Sequence, residues 1–476
     1  MEAFWGSDVW GTFALVSVLL IGLLAANALK RSIRVLKVSL IPTSVLAGIL
    51  LLAFAGVWDI FSDTPFFASE LFGGLEVVEG ASGAPIVRER GYALLEIITY
   101  HALALGFIAS SFKSGKTKMT KKRTTEIFNT GVTTVATYLM QGILGLGITM
   151  LAAYLMKDFF AAAGVLLPFG YGQGTGQAMN YGNIYELEHG LCRNGKSFGL
   201  TIAALGFLSA SVGGVIHLNI LRHKKKIAVF DKDEAAPEEA VENKNEIPMQ
   251  GSVDKMTVEI ALVALTYLLT YVIMFFLGKA LPGMKSTIYG FNFLLGVLSA
   301  VLVKAFIRLF KKIGWMKKEH INDFLMTRVS NVCFDIMVVA GIAAIRFGLL
   351  ENYWGVILIL GVVGLASTYI YERIVAKTLF PEYTEEQFLM MYGMLTGTAS
   401  TGTILLREID GEFKTPAADN MVYQNFPAIA FGFPMMLLAN FAPGNELLSF
   451  IIFIAFFAVM NIILFRSKIF RKRNKK

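Results

Sequence analysis

The chain has 476 residues, of which 55% are hydrophobic and only 16% charged, with a mean hydropathy of +0.60. A soluble domain carries about 25% charged residues, so the composition is that of a membrane protein and not of an ordinary globular enzyme. The net charge of +8 would suit a nucleic-acid partner, but its distribution along the chain argues against one. The two cysteines, Cys192 and Cys333, offer no disulfide framework and read as inert thiols.

Apolar stretches of about 20 residues, the length that crosses a hydrocarbon core, recur along the chain. They are read at 9–29, 38–57, 91–112, 127–156, 196–221, 257–279, 286–307, 327–349, 352–376, 421–441 and 447–466. The first follows MEAFWGSD, which has no basic flank, so this helix is expected to stay in the mature protein. Lys and Arg alternate by loop. One side holds Lys30, Arg31, Arg34 and Lys37, then the cluster from Lys113 to Arg123, then Arg222 and Lys224 to Lys226. It later holds Lys304 to Lys318, Arg373 and Lys377, and the tail from Arg466 to Lys476. The other side has only Arg88, Arg90, Lys157, Arg193, Lys196, Lys279 and Lys285. By the positive-inside rule the N-terminus lies outside and the C-terminus in the cytoplasm of a plasma (inner) membrane. The basic surplus is then a cytoplasmic anchor.

Two segments break the hydrophobic pattern: Leu167–Tyr185, LPFGYGQGTGQAMNYGNIY, and Tyr392–Thr403, YGMLTGTASTGT. Lipid cannot satisfy irregular backbone, so such segments must be buried in protein or line a cavity. The charge alternation holds only if neither crosses, which makes each a re-entrant hairpin, the first from outside and the second from inside.

Five helices precede the charged segment 223–255, which includes FDKDEAAPEEAVENKNE and reads as a solvated cytoplasmic linker. Five more follow, with one extra at the C-terminus, and each hairpin lies between the fourth and fifth helix of its half. An odd number of crossings inverts the second half. The expected architecture is an all-α polytopic membrane protein of two inverted-topology repeats. Residues 1–222 form the first, with a hairpin near 159–190, and residues 256–442 the second, with a hairpin near 384–412. Residues 443–476 are the extra helix and basic tail.

At Ile41-Pro42, Ala47-Gly48, Gly172-Gln173-Gly174-Thr175-Gly176, Ser330-Asn331-Val332 and Gly397-Thr398-Ala399-Ser400, the chain resembles the bacterial sodium:glutamate symporter (ESS) family over nearly its whole length. It departs from the family pattern at Gln173 and Gln177, in the run Gly402–Glu408, and in its eleventh helix and long linker. The resemblance implies sodium-coupled uptake of glutamate or a similar acidic solute, by an elevator-like movement in a homodimer. It implies no bound cofactor beyond the co-transported sodium ion.

The residues suit that solute. Glycines let backbone approach a ligand, and helix N-termini supply donors to carboxylates. Gln173, Gly174, Thr175, Gly176, Gln177 and Asn180 of the first hairpin, and Thr396, Gly397, Thr398, Ser400 and Thr401 of the second, are the candidate substrate-binding set. The competing reading, that small residues only let helices pack, suits isolated glycines better than these two clusters. Arg407 could hold a side-chain carboxylate with its planar fork, or pair with Glu408 or Asp410 at the surface. Asp335, with Asn331 one turn earlier, could hold sodium or the substrate ammonium, or could make a helix–helix hydrogen bond. Glu96 and His101 read as structural, Arg346 as a snorkelling side chain, and Asn425 and Pro427 as cavity wall. No nucleophile or acid–base constellation and no nucleotide-binding loop is read, so an enzyme is not expected. A proton- or sodium-coupled carrier of another organic anion, or a channel with paired re-entrant loops, remain the alternatives.

Overall fold

The computed structural model describes residues 6–79, 85–113, 120–157, 159–189, 194–224, 253–316, 318–411 and 413–471. The body of the expected 223–255 linker lies outside these residues, as do Cys192, Lys116, Lys118, Arg193, Lys317 and the tail from 472.

The chain is a helical, multi-pass membrane protein. Among the described residues, ten helices are long and apolar enough to cross a bilayer. They are α1 (Ser7–Ser32), α2 (Thr43–Phe61), α3 (Arg90–Phe112), α4 (Lys121–Leu155), α6 (Gly195–His223), α7 (Lys255–Ala280), α8 (Asn292–Ile313), α9 (Asp323–Ala343), α10 (Trp354–Leu379) and α15 (Glu446–Leu464). Other helices include α5 (Leu166–His189), α11 (Thr384–Thr396), α12 (Ala399–Arg407), α13 (Ala417–Tyr423) and α14 (Asn425–Phe441). The expected span at 421–441 is a bent pair: α13 and α14 meet at Gln424 with a 50° change of direction. A two-stranded antiparallel hairpin, β1 (Leu75–Glu79) with β2 (Pro85–Glu89), joins α2 to α3 and adds a small β element to the helical fold.

Several helices start on the side chains that favour starts. The Thr120 hydroxyl accepts from Arg123 N, the Asp254 carboxylate from Met256 N, and the Asn322 amide oxygen from Leu325 N. Each satisfies one of the backbone donors that a first helical turn leaves without a partner.

Burial divides the helices into a centre and a rim. The most apolar window of α6 is 67% buried, whereas those of α7 and α15 are 22% buried. The rim helices present Leu24, Phe276, Leu302 and Leu447 outward, which in a bilayer is contact with lipid. Half of the largest fully buried side chains lie on the two interrupted segments: Phe169, Tyr171, Tyr181 and Tyr185 on α5, Phe388 and Tyr392 on α11. The elements that cannot face lipid are therefore the ones the other helices enclose.

Candidate functional site

Helix α5 is interrupted at Gly174, where φ is 78° and ψ −169°. Only glycine adopts this region without strain. The rings of Phe169 and Tyr181 stack with centroids 3.8 Å apart. Twelve residues of straight helix would separate them by about 18 Å, so the chain doubles back at Gly174. Tyrosines tie both arms to their surroundings. Tyr138 donates to the Gly172 carbonyl (3.0 Å), and Tyr171 to the Gly361 carbonyl (2.7 Å) while also meeting Ser209 Oγ at 2.9 Å. Tyr181 and Tyr185 donate to the carbonyls of Met436 and Ala439 on α14, each at 2.8 Å. A tyrosine suits such a place because its ring packs while its hydroxyl satisfies a buried acceptor.

The second break has the same form. Helix α11 ends at Thr396, Gly397 and Thr398 leave helical geometry, and α12 begins at Ala399. A Cβ added at Gly402 would lie 2.5 Å from the Met390 carbonyl oxygen, and one at Gly393 would lie 2.7 Å from Gly402 Cα. The arms of this hairpin therefore run backbone against backbone, an approach that only small residues permit. Tyr392 donates to the Ser209 carbonyl at 2.8 Å. At the base, the Arg373 guanidinium holds Glu385 in a bidentate pair (2.6 and 2.8 Å), and His217 Nε2 lies 2.9 Å from the same carboxylate.

Glu385 lies outside the ten spans. Burial pushes its carboxyl up, but the hydrogen bonds from His217 and Arg373 and the Arg373 charge outweigh burial and draw it down to about 2. An unfolded Glu titrates near about 4.3. The pair therefore contributes stability that is present above that value and lost as pH falls through about 2. In detergent, wild-type protein should lose thermal stability across this acid window with a steeper slope than Glu385→Gln. Equal slopes would refute the linkage.

The two breaks meet. A Cβ at Gly174 would lie 3.4 Å from Thr398 Cγ2, 3.9 Å from the Gly397 carbonyl oxygen and 3.9 Å from Met337 Cε of α9. Thr175 packs against Gly341, its hydroxyl 3.4 Å from the Met337 carbonyl. Thr398 and Thr401 hydroxyls are 3.4 Å apart. Gln173 and Ser400 are half-buried near the tips, while Thr396 is buried and turned back onto the Tyr392 carbonyl. Gly176 packs on Leu103. Below it, Asn180 donates to Gln177 Oε1 and to the Gly290 carbonyl. Gln177 is fully buried, and its Nε2 has no partner among the described residues.

Two helices start at this junction, the second arm of α5 at Thr175 and α12 at Ala399. First-turn N–H groups lack intrahelical acceptors, and among the described residues no side chain caps the start of α12. Two partial positive charges therefore converge on one spot, among hydroxyls and amides and without a basic side chain from either tip.

Three candidate residues are not gathered there. Arg407 is exposed at the far end of α12, with its guanidinium 5.2 Å from the Phe413 ring centre. Neither surface partner expected for it is engaged by it: Glu408 pairs with Arg222, and Asp410 accepts from Lys414 N and from Thr415. Asp335 lies two residues before Met337, about 200° around α9, and faces Ser44 of α2. Asn331, on the same face, is exposed. Arg346 does not snorkel. It pairs with Glu89 at 2.9 Å and stacks over the Tyr92 ring, next to Glu96, which Lys196 holds at 2.7 Å. His101 bonds the Tyr267 hydroxyl at 2.6 Å, and Pro427 packs on Gly131.

A lane of polar residues along one side of α4 was not among the candidates. Thr130, Thr133, Thr134, Thr137 and Gln141 are all buried. Gln387 donates to Thr130, Thr134 to Gln424, and Gln141 to both Thr368 and the Leu395 carbonyl. Glu372 of α10, 1% exposed, meets Thr137. The spacing of hydroxyl residues in TGVTTVATYLMQG is the signal that could have found this lane. Among the described residues no three His, Cys, Asp or Glu side chains form a metal-holding group. The chain matches no family model and no curated protein.

Proposed function

We propose that the chain is a secondary active transporter, carrying glutamate or a related acidic amino acid in symport with sodium by alternating access. The observation that carries the reading is the contact of two helix breaks, Gly174 against Gly397 and Thr398, inside a multi-pass membrane protein. Interrupted segments in the two halves of a chain are how secondary transporters build a site at membrane mid-depth. Two helix starts supply donors for carboxylates, and the hydroxyls and carbonyls of Thr398, Thr401 and Gly397 supply oxygens for a hard monovalent cation. On this reading the two hairpins are re-entrant, the halves are inverted repeats, and the basic loops lie in the cytoplasm. Glutamate as the solute and the homodimer rest on the resemblance to the sodium:glutamate symporters.

Counterflow in proteoliposomes tests the mechanism. Vesicles preloaded with unlabelled glutamate should accumulate labelled glutamate transiently without a net driving force, and only with sodium present. A channel gives no such overshoot. Counterflow with another organic anion alone would keep the carrier and replace the solute. Counterflow indifferent to sodium would replace the coupling ion.

A further inference from the structure

Glu372 is enclosed on α10 about 10 Å, or two turns, before the end of a 26-residue helix. It is 1% exposed, and no basic side chain pairs with it among the described residues. An ionised carboxylate in such a place lacks the compensation that buried charges need. The hydrogen count around it shows how the problem is resolved. Thr137 Oγ1 lies 2.9 Å from the Thr133 carbonyl oxygen and 2.5 Å from Glu372 Oε1. If Glu372 is ionised, both neighbours are acceptors and the threonine has one hydrogen to offer them. If Glu372 is protonated, its O–H donates to Thr137 Oγ1, the threonine O–H donates to the Thr133 carbonyl, and both contacts are complete hydrogen bonds.

The next rung of the same lane is also short of donors. Gln141 spends its amide N–H groups on Thr368 Oγ1 (2.9 Å) and the Leu395 carbonyl (3.0 Å), and its Oε1 is buried without a partner among the described residues. Charged and titratable neighbours on each packed element pair elsewhere or lie at the hairpin base. On α10 itself, Arg373 is locked to Glu385, and Tyr371 donates to Asn461 of α15. From α6, His217 meets Tyr369 and Glu385. On α4, Arg123 and Glu126 pair with each other, about 16 Å or more along the helix from Thr137. On α11, Glu385 is taken by Arg373, and Glu386 stands beside it at the hairpin base. From α5, Tyr171 is bonded to Gly361 and Ser209.

We infer that Glu372 is a proton-binding site, carrying its proton in this conformation through the Glu372–Thr137–Thr133 hydrogen-bond chain. The proton sits on the α4–α10 seam, one rung from the Gln141 side chain that holds the Leu395 carbonyl just before the second break. Loss of the proton would place a charge beside that support, so occupancy of Glu372 and the position of the second hairpin are coupled. The inference stands on geometry and does not require the transport reading.

Infrared difference spectroscopy on the purified full-length protein tests it without any transport assay. Between neutral and strongly alkaline pH, the wild type should lose a protonated-carboxyl carbonyl band, and Glu372→Gln should lack that band. Thr137→Val keeps the test decisive if the glutamine variant does not fold, because removing the acceptor should shift the same band to higher wavenumber. A neutral-pH spectrum that neither substitution alters would mean that Glu372 is ionised, and would overturn the inference. Absence of counterflow in the wild type, with the band present, would sink the transport reading alone.

Discussion

Replacing Gly174 with Ala should destabilise the protein by about 1–3 kcal/mol and bring counterflow to background. The energetic part follows from the backbone alone: at φ 78° and ψ −169° a Cβ is strained at about that level. Space is not the issue, since the nearest atom to the added Cβ would be Thr398 Cγ2 at ordinary contact distance, 3.4 Å. The chain would relieve the strain by rotating the tip, which would displace it from Gly397 and Thr398 and turn the first N–H groups of the second arm away from α12. Gly56→Ala in α2 is the control, because nothing lies within 4 Å of its added Cβ and a mid-helix Gly→Ala change is favourable by roughly 0.5–1 kcal/mol. A Gly174→Ala protein that melts with the wild type would refute the strained tip. One that melts lower but shows full counterflow would detach the tip from transport.

Replacing Gln141 with Leu should have the second-largest effect. Gln141 is fully buried and is the donor to both Thr368 Oγ1 and the Leu395 carbonyl. Each buried group that loses its partner costs about 1–3 kcal/mol, and leucine offers no replacement donor. The Leu395 carbonyl is two residues from Gly397, so the loss loosens the arm that aims the second tip. The expected result is a lower melting midpoint together with weaker apparent affinity in counterflow. Gln141→Glu separates the terms: it keeps the shape and an oxygen but brings a second carboxyl into the lane of Glu372. Retention of the wild-type midpoint and affinity in Gln141→Leu would mean that the lane does not support the hairpin.

Spans were legible because apolar length is a property of composition, and ten helices lie where runs of about 20 apolar residues predict them. The breaks were legible because glycine and neutral polar residues interrupt those runs. The polar lane was not legible in the same way. Threonine is mild on a hydropathy scale, and averaging over a span removes the difference between the face of α4 that carries Thr130, Thr133, Thr137 and Gln141 and the face that does not. Glu372 is adjacent to Arg373 and close to Lys377, so its neighbours in sequence suggest a surface. The helix turns about 100° per residue, and Glu372 points inward while Arg373 reaches the base of the hairpin. Arg407 fails for the opposite reason. Its chemistry suits a carboxylate, but nine residues of α12 carry it away from the tip. Gln424 lies next to Asn425 and Pro427 in sequence, yet it is the one buried in the lane, bonded to Thr134. In each case the sequence names the chemical group, and only the direction of the side chain decides its use.

One residue of α6 has a share in both hairpins. Ser209 donates its hydroxyl to Tyr171 Oη of the first, whose own hydrogen goes to Gly361, and its carbonyl accepts from Tyr392 of the second. Prising the tips apart would break one or both of these buried bonds. Carrying α6 along with them breaks neither. Through this one residue, a displacement of either hairpin relative to α6 is felt by the other.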